Sequence, residues 1–147
     1  MHRVLLLAFV LFSPFQNAAE KVWFEPMFYF EFNQFKGPSY SVTVLKDKML
    51  VQEFLGGYGI NSNWCSVAIN EGTLDNVYET LNELDFNNTD EHIYKKGMLD
   101  GTSYKIILQH PKLSKSVSGA NKYPNNFNEI EKYVHMLIKL NNCELTL

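Results

Sequence analysis

The chain has 147 residues, 46% of them hydrophobic, with 13 basic against 16 acidic side chains. This length is enough for one domain whose hydrophobic core needs neither a metal nor several disulfides. Arg3 is the only arginine. Because the chain has an acidic balance and no arginine beyond that position, it is poorly equipped to bind phosphates, and we exclude nucleic acid as a partner.

The first residues, MHRVLLLAFVLFSPFQNAA, have the layout of a secretory signal peptide. A basic residue precedes an apolar run at 4–12, and small residues follow at Ala18 and Ala19. The run is much shorter than the roughly 20 residues of a membrane-spanning helix. We therefore predict a signal peptide at 1–19, no transmembrane segment, and a periplasmic or secreted single domain at 20–147. That domain holds twelve lysines against sixteen acidic residues, a net charge of −4.

Alternation of apolar and polar residues predicts strands in the first half of this domain. The segment WFEPMFYFEF alternates through Phe28, Phe30 and Phe32, and GPSYSVTV continues the pattern in a second strand. A turn around Asp47 leads to a third strand, which completes a hairpin. WCSVAIN predicts a further strand, and an amphipathic helix with Thr73 as its cap follows.

The second half repeats this order after a polar segment, DFNNTDEHIYKKGMLDG, which is predicted to be a flexible loop. DGTSYKIIL predicts a strand, and a turn around Pro111 joins it to another. A second amphipathic helix follows, in which Asn126 and Glu129 form a variant of the capping box.

A few identities between the two hairpins indicate an internal strand-strand-helix duplication. Chance similarity between two amphipathic hairpins is the alternative. Either interpretation predicts an α+β domain, in which an antiparallel sheet of about six strands has both helices packed on one face. The aligned identities are Gly37 with Gly101, Ser39 with Ser103, and Tyr40 with Tyr104.

Cys65 and Cys143 are the two cysteines of the chain. In an oxidising compartment a disulfide can join them, and closing a loop of this length stabilises a fold by about 4 kcal/mol in the chain-entropy model. Two buried free thiols are the alternative, since sequence does not show proximity. We expect no metal to be held by this pair.

The order of features, from the export signal through GPSYSVTV and DGTSYKIIL to the final YPNNFNEIEKYVHMLIKL helix, resembles a family of small exported bacterial domains of unknown function. The resemblance covers most of residues 20–147 and implies their fold and compartment. Some members carry a cysteine pair where this chain has NQFKGPSY, so shared thiol chemistry is not implied. Because the family has no established activity, the resemblance implies no catalytic residue.

The usual catalytic and cofactor motifs are missing from the sequence. The chain lacks the GxSxG, HExxH, CxxC, GxGxxG and P-loop patterns, so we predict no catalytic residue, metal or cofactor. An alternative is a catalytic group of Asp90, Glu91 and His92, which could bind a metal or act as a general base if the three converge. Neighbours on a polar loop usually point apart into solvent. His110, in a turn, and His135, on the polar side of the last helix, are predicted to be solvated.

Two features favour a binding surface. Aromatic side chains in the first half could form a platform for a sugar, a peptide or a protein, although alternation favours a core role for Phe28, Phe30 and Phe32. The loops GGYGINSNW and SGANKYPNN occupy equivalent places in the two halves. If a pseudo-twofold relates the halves, these loops form one contact surface; ordinary turn chemistry is the alternative. The candidate binding residues are Tyr58, Asn61, Tyr123 and Asn125.

Small size, export, acidic balance and the absence of catalytic motifs together favour a non-catalytic binding module of the cell envelope. It could be an inhibitor or immunity-type protein whose protein partner is basic, since complementary charge speeds encounter. The first alternative is an envelope hydrolase or metal-dependent enzyme centred on Asp90, Glu91 and His92. The second is a structural exported domain.

Overall fold

The structure, a computed structural model, describes residues 27–35, 37–55, 61–95 and 101–143. The predicted signal peptide at 1–19 lies outside these ranges. Within them, no helix has the length and apolar character needed to cross a membrane. The described elements are β1 (Phe28–Gln34), β2 (Ser39–Val44), β3 (Lys48–Leu55), β4 (Asn61–Ala68), α1 (Thr73–Glu83), a 3-10 helix (Phe86–Asn88), β5 (His92–Tyr94), β6 (Thr102–His110), β7 (Leu113–Ala120) and α2 (Phe127–Leu140).

The core lies between one face of the sheet and the two helices. Phe30 of β1 is opposite Val42 of β2 and Ile106 of β6, and these three side chains are fully buried. Phe127 of α2 stacks on Phe30 with 6.0 Å between ring centroids, and Val77 of α1 belongs to the same cluster. The strand period of two and the helix period of 3.6 thus bring the apolar faces together. The predicted α+β class is confirmed, and the aromatic strand belongs to the core.

The sheet has seven strands in the order β4-β3-β2-β1-β6-β7-β5, whereas about six were predicted. The additional strand is β5, which lies in the polar segment that was predicted to be a loop. Its one buried side chain, Ile93, is opposite Gly119 of β7, and the two strands run parallel. A three-residue strand with a single apolar position carries too little alternation to be recognised in the sequence.

The two predicted hairpins, β2 with β3 and β6 with β7, are present, but they lie on opposite sides of β1. β2 and β6 are both antiparallel to β1 and turn the same face to the core. A translation that superimposes β2 on β6 therefore places β3 on β1 rather than on β7. A rotation about β1 would exchange the two hairpins, but it would turn their buried faces away from the core. The predicted pseudo-twofold is therefore absent from the described hairpins.

A disulfide joins Cys65 in β4 to Cys143, three residues after the end of α2, across a sequence separation of 78 residues. The sequence was compatible with either a disulfide or two free thiols, and the structure contains the disulfide. Constraining so long a loop in the unfolded chain stabilises the fold by about 4 kcal/mol. The disulfide therefore fixes one sheet edge to the last helix.

His110 is buried, 9% exposed, so its predicted solvated position in the β6–β7 turn is wrong. Its ring stacks on Tyr78 of α1 with 4.3 Å between centroids. The backbone N–H of Lys112 donates to Nδ1 at 3.3 Å, which leaves Nε2 to donate to the Asp75 carboxylate at 2.9 Å. The histidine therefore ties the turn to α1.

Candidate functional site

A polar cleft of about 510 Å³ opens beside the β5 edge of the sheet. One wall is the segment that follows α1, and the other is the loop that joins β7 to α2. The lining side chains combine carboxylates, amides, one ammonium and one aromatic ring. They are Leu84, Asp85, Asn88, Thr89, Asp90, Ile93, Lys122, Tyr123, Pro124, Asn125, Asn126 and Glu129.

The wall after α1 is held by a short 3-10 helix. Asp85 adopts a left-handed conformation with φ of 58°, which aspartate tolerates better than most residues. Phe86 is fully buried and anchors this segment in the core. Asn88 Nδ2 donates to Asp85 Oδ1 at 2.6 Å, and the N–H of Thr89 donates to the carbonyl of Phe86 at 3.2 Å. These local bonds orient the Asp85 carboxylate in the absence of a ligand.

The opposite wall is held by aromatic packing at the start of α2. Tyr123 is 37% exposed, and its ring stacks on Phe127 with 4.5 Å between centroids. Its hydroxyl is hydrogen-bonded to the hydroxyl of Thr102. Asn121 adopts φ of 58° and accepts the N–H of Thr102 at 3.0 Å through Oδ1. Tyr123 thus presents part of one ring to solvent from a fixed position.

Asn126 joins the two walls. Its Nδ2 donates to the carbonyl of Leu84 at 2.5 Å and to Thr89 Oγ1 at 3.3 Å. Asn126 occupies the N-cap position of α2 as predicted, but its side chain makes no capping hydrogen bond there, so the predicted capping box does not form. Its buried Oδ1 accepts no hydrogen bond from the described residues. The amide therefore connects the end of α1 to the start of α2 and sets the width of the cleft.

Tyr104 supports the exposed tyrosine from behind. It is 3% exposed, and its ring lies 5.5 Å from that of Tyr123 and 4.8 Å from that of Phe127. Burial, together with the nearby Tyr123 and Tyr94, raises the pKa of Tyr104 to about 12. Its hydroxyl is buried without a hydrogen-bond partner among the described residues. Tyr104 therefore acts as neutral packing for the aromatic wall.

The charged groups of the cleft are mainly negative. Asp85, Asp90 and Glu129 contribute three carboxylates, and Lys122 contributes the single ammonium. Amide oxygens of asparagine add neutral acceptors to this set. A concave surface of one dominant sign concentrates its field and raises the local concentration of the opposite charge. The cleft is thus suited to a cation that donates several hydrogen bonds.

Two of the four predicted binding residues, Tyr123 and Asn125, line this cleft. Tyr58 lies outside the described residues, and Asn61 is described only as the first position of β4, paired with Leu55. Three strands separate β3 from β7 in the sheet, a distance of about 19 Å at the usual strand spacing. Residues 56–60 of the first loop lie outside the described residues, so a contact between the two loops stays a prediction.

The three members of the alternative catalytic group separate in the structure. Asp90 lines the cleft, whereas Glu91 and His92 are exposed and do not. His92 Nδ1 lies 3.1 Å from Ser118 Oγ on the neighbouring strand. Among the described residues, no group of three histidine, cysteine or carboxylate side chains is placed to hold a metal ion. His135 is exposed as predicted, although its Nε2 lies 3.1 Å from the hydroxyl of Tyr40.

Sequence reasoning missed the charged and bridging residues of the cleft: Asp85, Lys122, Asn126 and Glu129. They follow α1 or flank the start of α2, so a signal was present in the polar residues at these two helix ends. That signal becomes specific only when the sheet order places the two ends side by side. A second groove, of about 490 Å³ between α1 and α2, holds none of the predicted binding residues.

No protein-family model matches this chain, and no curated protein matches it. The resemblance to a family of small exported bacterial domains therefore stays a prediction.

Proposed function

We propose that this chain is an exported, non-catalytic binding module, an inhibitor or immunity-type protein that accepts a lysine or arginine side chain of a protein partner in its cleft. The observation that carries the proposal is the convergence of Tyr123 and Asn125 with the carboxylates of Asp85, Asp90 and Glu129. A cation on an alkyl stem can interact with both the carboxylates and the tyrosine ring. Its charge meets the carboxylates, and its stem and charge can lie against the tyrosine ring.

The cleft supports binding because contacts within the chain hold side chains of both walls in place. Asp85 is held by Asn88, and Tyr123 is held by Phe127 and Thr102. Preorganised side chains lose little conformational entropy on binding, so more of the interaction free energy appears as affinity. Lys122, which also lines the cleft, would repel a cation placed beside it, which favours a position next to the carboxylates.

Export is part of the same proposal. The apolar leader at 1–19 and the disulfide between Cys65 and Cys143 both suit an oxidising compartment. An inhibitor in the cell envelope meets its target there, and a negatively charged inhibitor is drawn to a positively charged enzyme at low ionic strength.

The test is affinity capture from envelope extracts with residues 20–147 of the wild type and of two variants. Asp85→Asn/Asp90→Asn removes two charges from the cleft and keeps the shape of both side chains. Asp47→Asn/Glu71→Gln removes two charges from exposed positions outside the cleft and is the matched control.

We expect a basic protein to be retained by the wild type and the control, and to be lost from the cleft variant and at higher salt. Retention by all three proteins alike, or by none, would contradict the proposal.

A further inference from the structure

The two edges of the sheet differ in how well they are protected against pairing with another strand. β5 has three residues, and charged side chains flank it at Glu91 and Lys95. β4 has eight residues without a charge or a proline, and it pairs with β3 over eight consecutive positions without a bulge. Short strands, charges, prolines and bulges are the means by which natural edges avoid further pairing. β4 has none of them.

The free backbone groups of β4 can be located from its pairing with β3. The N–H of Ile69 donates to the carbonyl of Asp47 at 3.0 Å, just beyond the pair formed by Ala68 and Lys48. In an antiparallel ladder, hydrogen-bonded and non-hydrogen-bonded pairs alternate. The odd-numbered residues of β4 therefore bond to β3, and even-numbered residues such as Trp64 and Ser66 turn their N–H and C=O groups to the open edge.

Trp64 marks the middle of this edge. It is 75% exposed, and its pairing with Gln52 places it on the sheet face opposite the core. Neighbouring positions Asn63, Ser66 and Ala68 are also exposed, and no described strand pairs with β4 on its outer side. An indole exposed to this degree leaves a large apolar surface in water, and an added strand that carried an aromatic side chain would cover it.

We propose that β4 pairs with β4 of a second copy of this chain, antiparallel and about a twofold axis at Trp64, to form one continuous sheet. Residues opposite each other in an antiparallel pair point to the same face of the sheet. A twofold axis perpendicular to the sheet also keeps each side chain on its own face. The residue at the axis must therefore pair with its own copy. At Trp64 the axis sets the two indoles against each other and pairs Ser62 with Ser66. The outward N–H and C=O of Trp64 then form the central hydrogen bonds.

A second copy fits this edge better than a charged peptide does. β4 offers no charge with which to select a basic or acidic segment, and its own sequence supplies the same polar and apolar side chains in reverse order. The interface consists of one pair of eight-residue strands, so a weak dimer is expected. The cleft lies at the other end of the strand order, beside β5, and stays open in the dimer.

Analytical ultracentrifugation of residues 20–147, from about 1 µM to about 500 µM, tests the dimer directly. Two variants should weaken the interface, one by charge repulsion and the other by the loss of a backbone hydrogen-bond donor. Trp64→Lys sets two ammonium groups opposite each other, and Ser66→Pro removes an outward N–H that β3 does not use. Tyr94 lies on the other edge of the sheet and is 62% exposed. Tyr94→Lys introduces the same charge there and is the control.

We expect a concentration-dependent dimer in the wild type and in Tyr94→Lys. Each of the two β4 variants should raise the dissociation constant about tenfold or more while circular dichroism shows an unchanged fold. A wild type that stays monomeric throughout the range overturns the proposal, and so does a dimer that persists in a folded Trp64→Lys or Ser66→Pro.

Discussion

The β4 edge and the β5 edge of the sheet are attached to the rest of the molecule by different means. β4 is long, and a disulfide from Cys65 fixes it to the end of α2. β5 is short and depends on its pairing with β7 and on the side chains around the cleft. The β4 edge is thus held by a covalent bond, whereas the geometry of the cleft depends on a few close contacts. Substitutions at the two edges are therefore expected to differ in their effect on stability.

Removal of the disulfide should have the largest effect. Cys65→Ala/Cys143→Ala is expected to lose about 4 kcal/mol in the free energy of unfolding, because the unfolded chain regains the entropy of a long loop. Urea unfolding with and without dithiothreitol measures this. The reductant should lower the stability of the wild type and leave the double variant unchanged. Equal stability of the oxidised wild type and the variant would show that this edge does not depend on its covalent bond.

Gly119→Ala should lower the free energy of unfolding by about 2–3 kcal/mol, because a new side chain enters a packed region. A Cβ at Gly119 would lie 2.4 Å from the Tyr104 hydroxyl and 2.5 Å from the Ile93 carbonyl of the paired β5 backbone. The matched control is Gly72→Ala, where the nearest atom is 3.6 Å away and φ is −76°. Thermal unfolding should show a large decrease for the first variant and a clearly smaller one for the second, which loses only the preference of an N-cap for glycine over alanine.

If both glycine variants unfold at the temperature of the wild type, then β5 does not lie against β7 as described.

Asn126→Ala should lower the free energy of unfolding by about 1–2 kcal/mol. The change removes the hydrogen bonds from Asn126 to Leu84 and Thr89 on the other wall of the cleft. Hydrogen exchange should also become faster in the segment after α1. Asn128→Ala is the control, because Asn128 is an exposed residue in the first turn of α2. Similar exchange rates in the two variants would argue against a bridging role for Asn126.

Tyr104→Phe should change stability at pH 7 by less than about 1 kcal/mol, since the deleted hydroxyl is buried without a described partner. Its effect appears at alkaline pH. The folded state raises the pKa of Tyr104 from 10.0 to about 12, so its contribution is fully present below pH 10 and is lost as the pH rises through about 12. Urea unfolding at pH 7 and at pH 11 measures both values.

Burial also raises the pKa of Tyr29, Tyr40 and Tyr133, so the wild type should lose stability over a wide alkaline range. Only the part due to Tyr104 should disappear in the variant. Tyr94→Phe removes only the smallest of the three causes of the Tyr104 shift, so it should retain most of the loss. An identical alkaline loss in the wild type and Tyr104→Phe would contradict the buried position of this hydroxyl.

The sequence predicts those parts of the fold that repeat along the chain. Alternation through Phe28 and Phe30 identifies a strand with one buried face, and the spacing of Val77 and Leu81 identifies a helix. The placement of the hairpins on opposite sides of β1 follows from contacts between distant residues. Local periodicity does not encode such contacts, so the pseudo-twofold prediction failed.

The candidate site was predictable only in part. Tyr123 and Asn125 belong to a loop whose composition indicates exposure, so a role in binding could be proposed for them. Asp85 and Asn126 gain their roles because the end of α1 meets the start of α2. His110 was placed wrongly because a histidine in a turn is usually solvated, whereas here Asp75 and Tyr78 of a distant helix surround it.

The measurement that tests the proposed cleft most directly is an NMR titration of residues 20–147 with N-acetyl-lysine amide. N-acetyl-norleucine amide has the same alkyl stem without the charge and is the control ligand. We expect lysine to cause saturable shifts at the side-chain amides of Asn125 and Asn126 and at the ring of Tyr123. These shifts should be lost in Asp85→Asn/Asp90→Asn. Absence of saturable shifts with lysine, or equal shifts with norleucine, would contradict a cation-binding cleft.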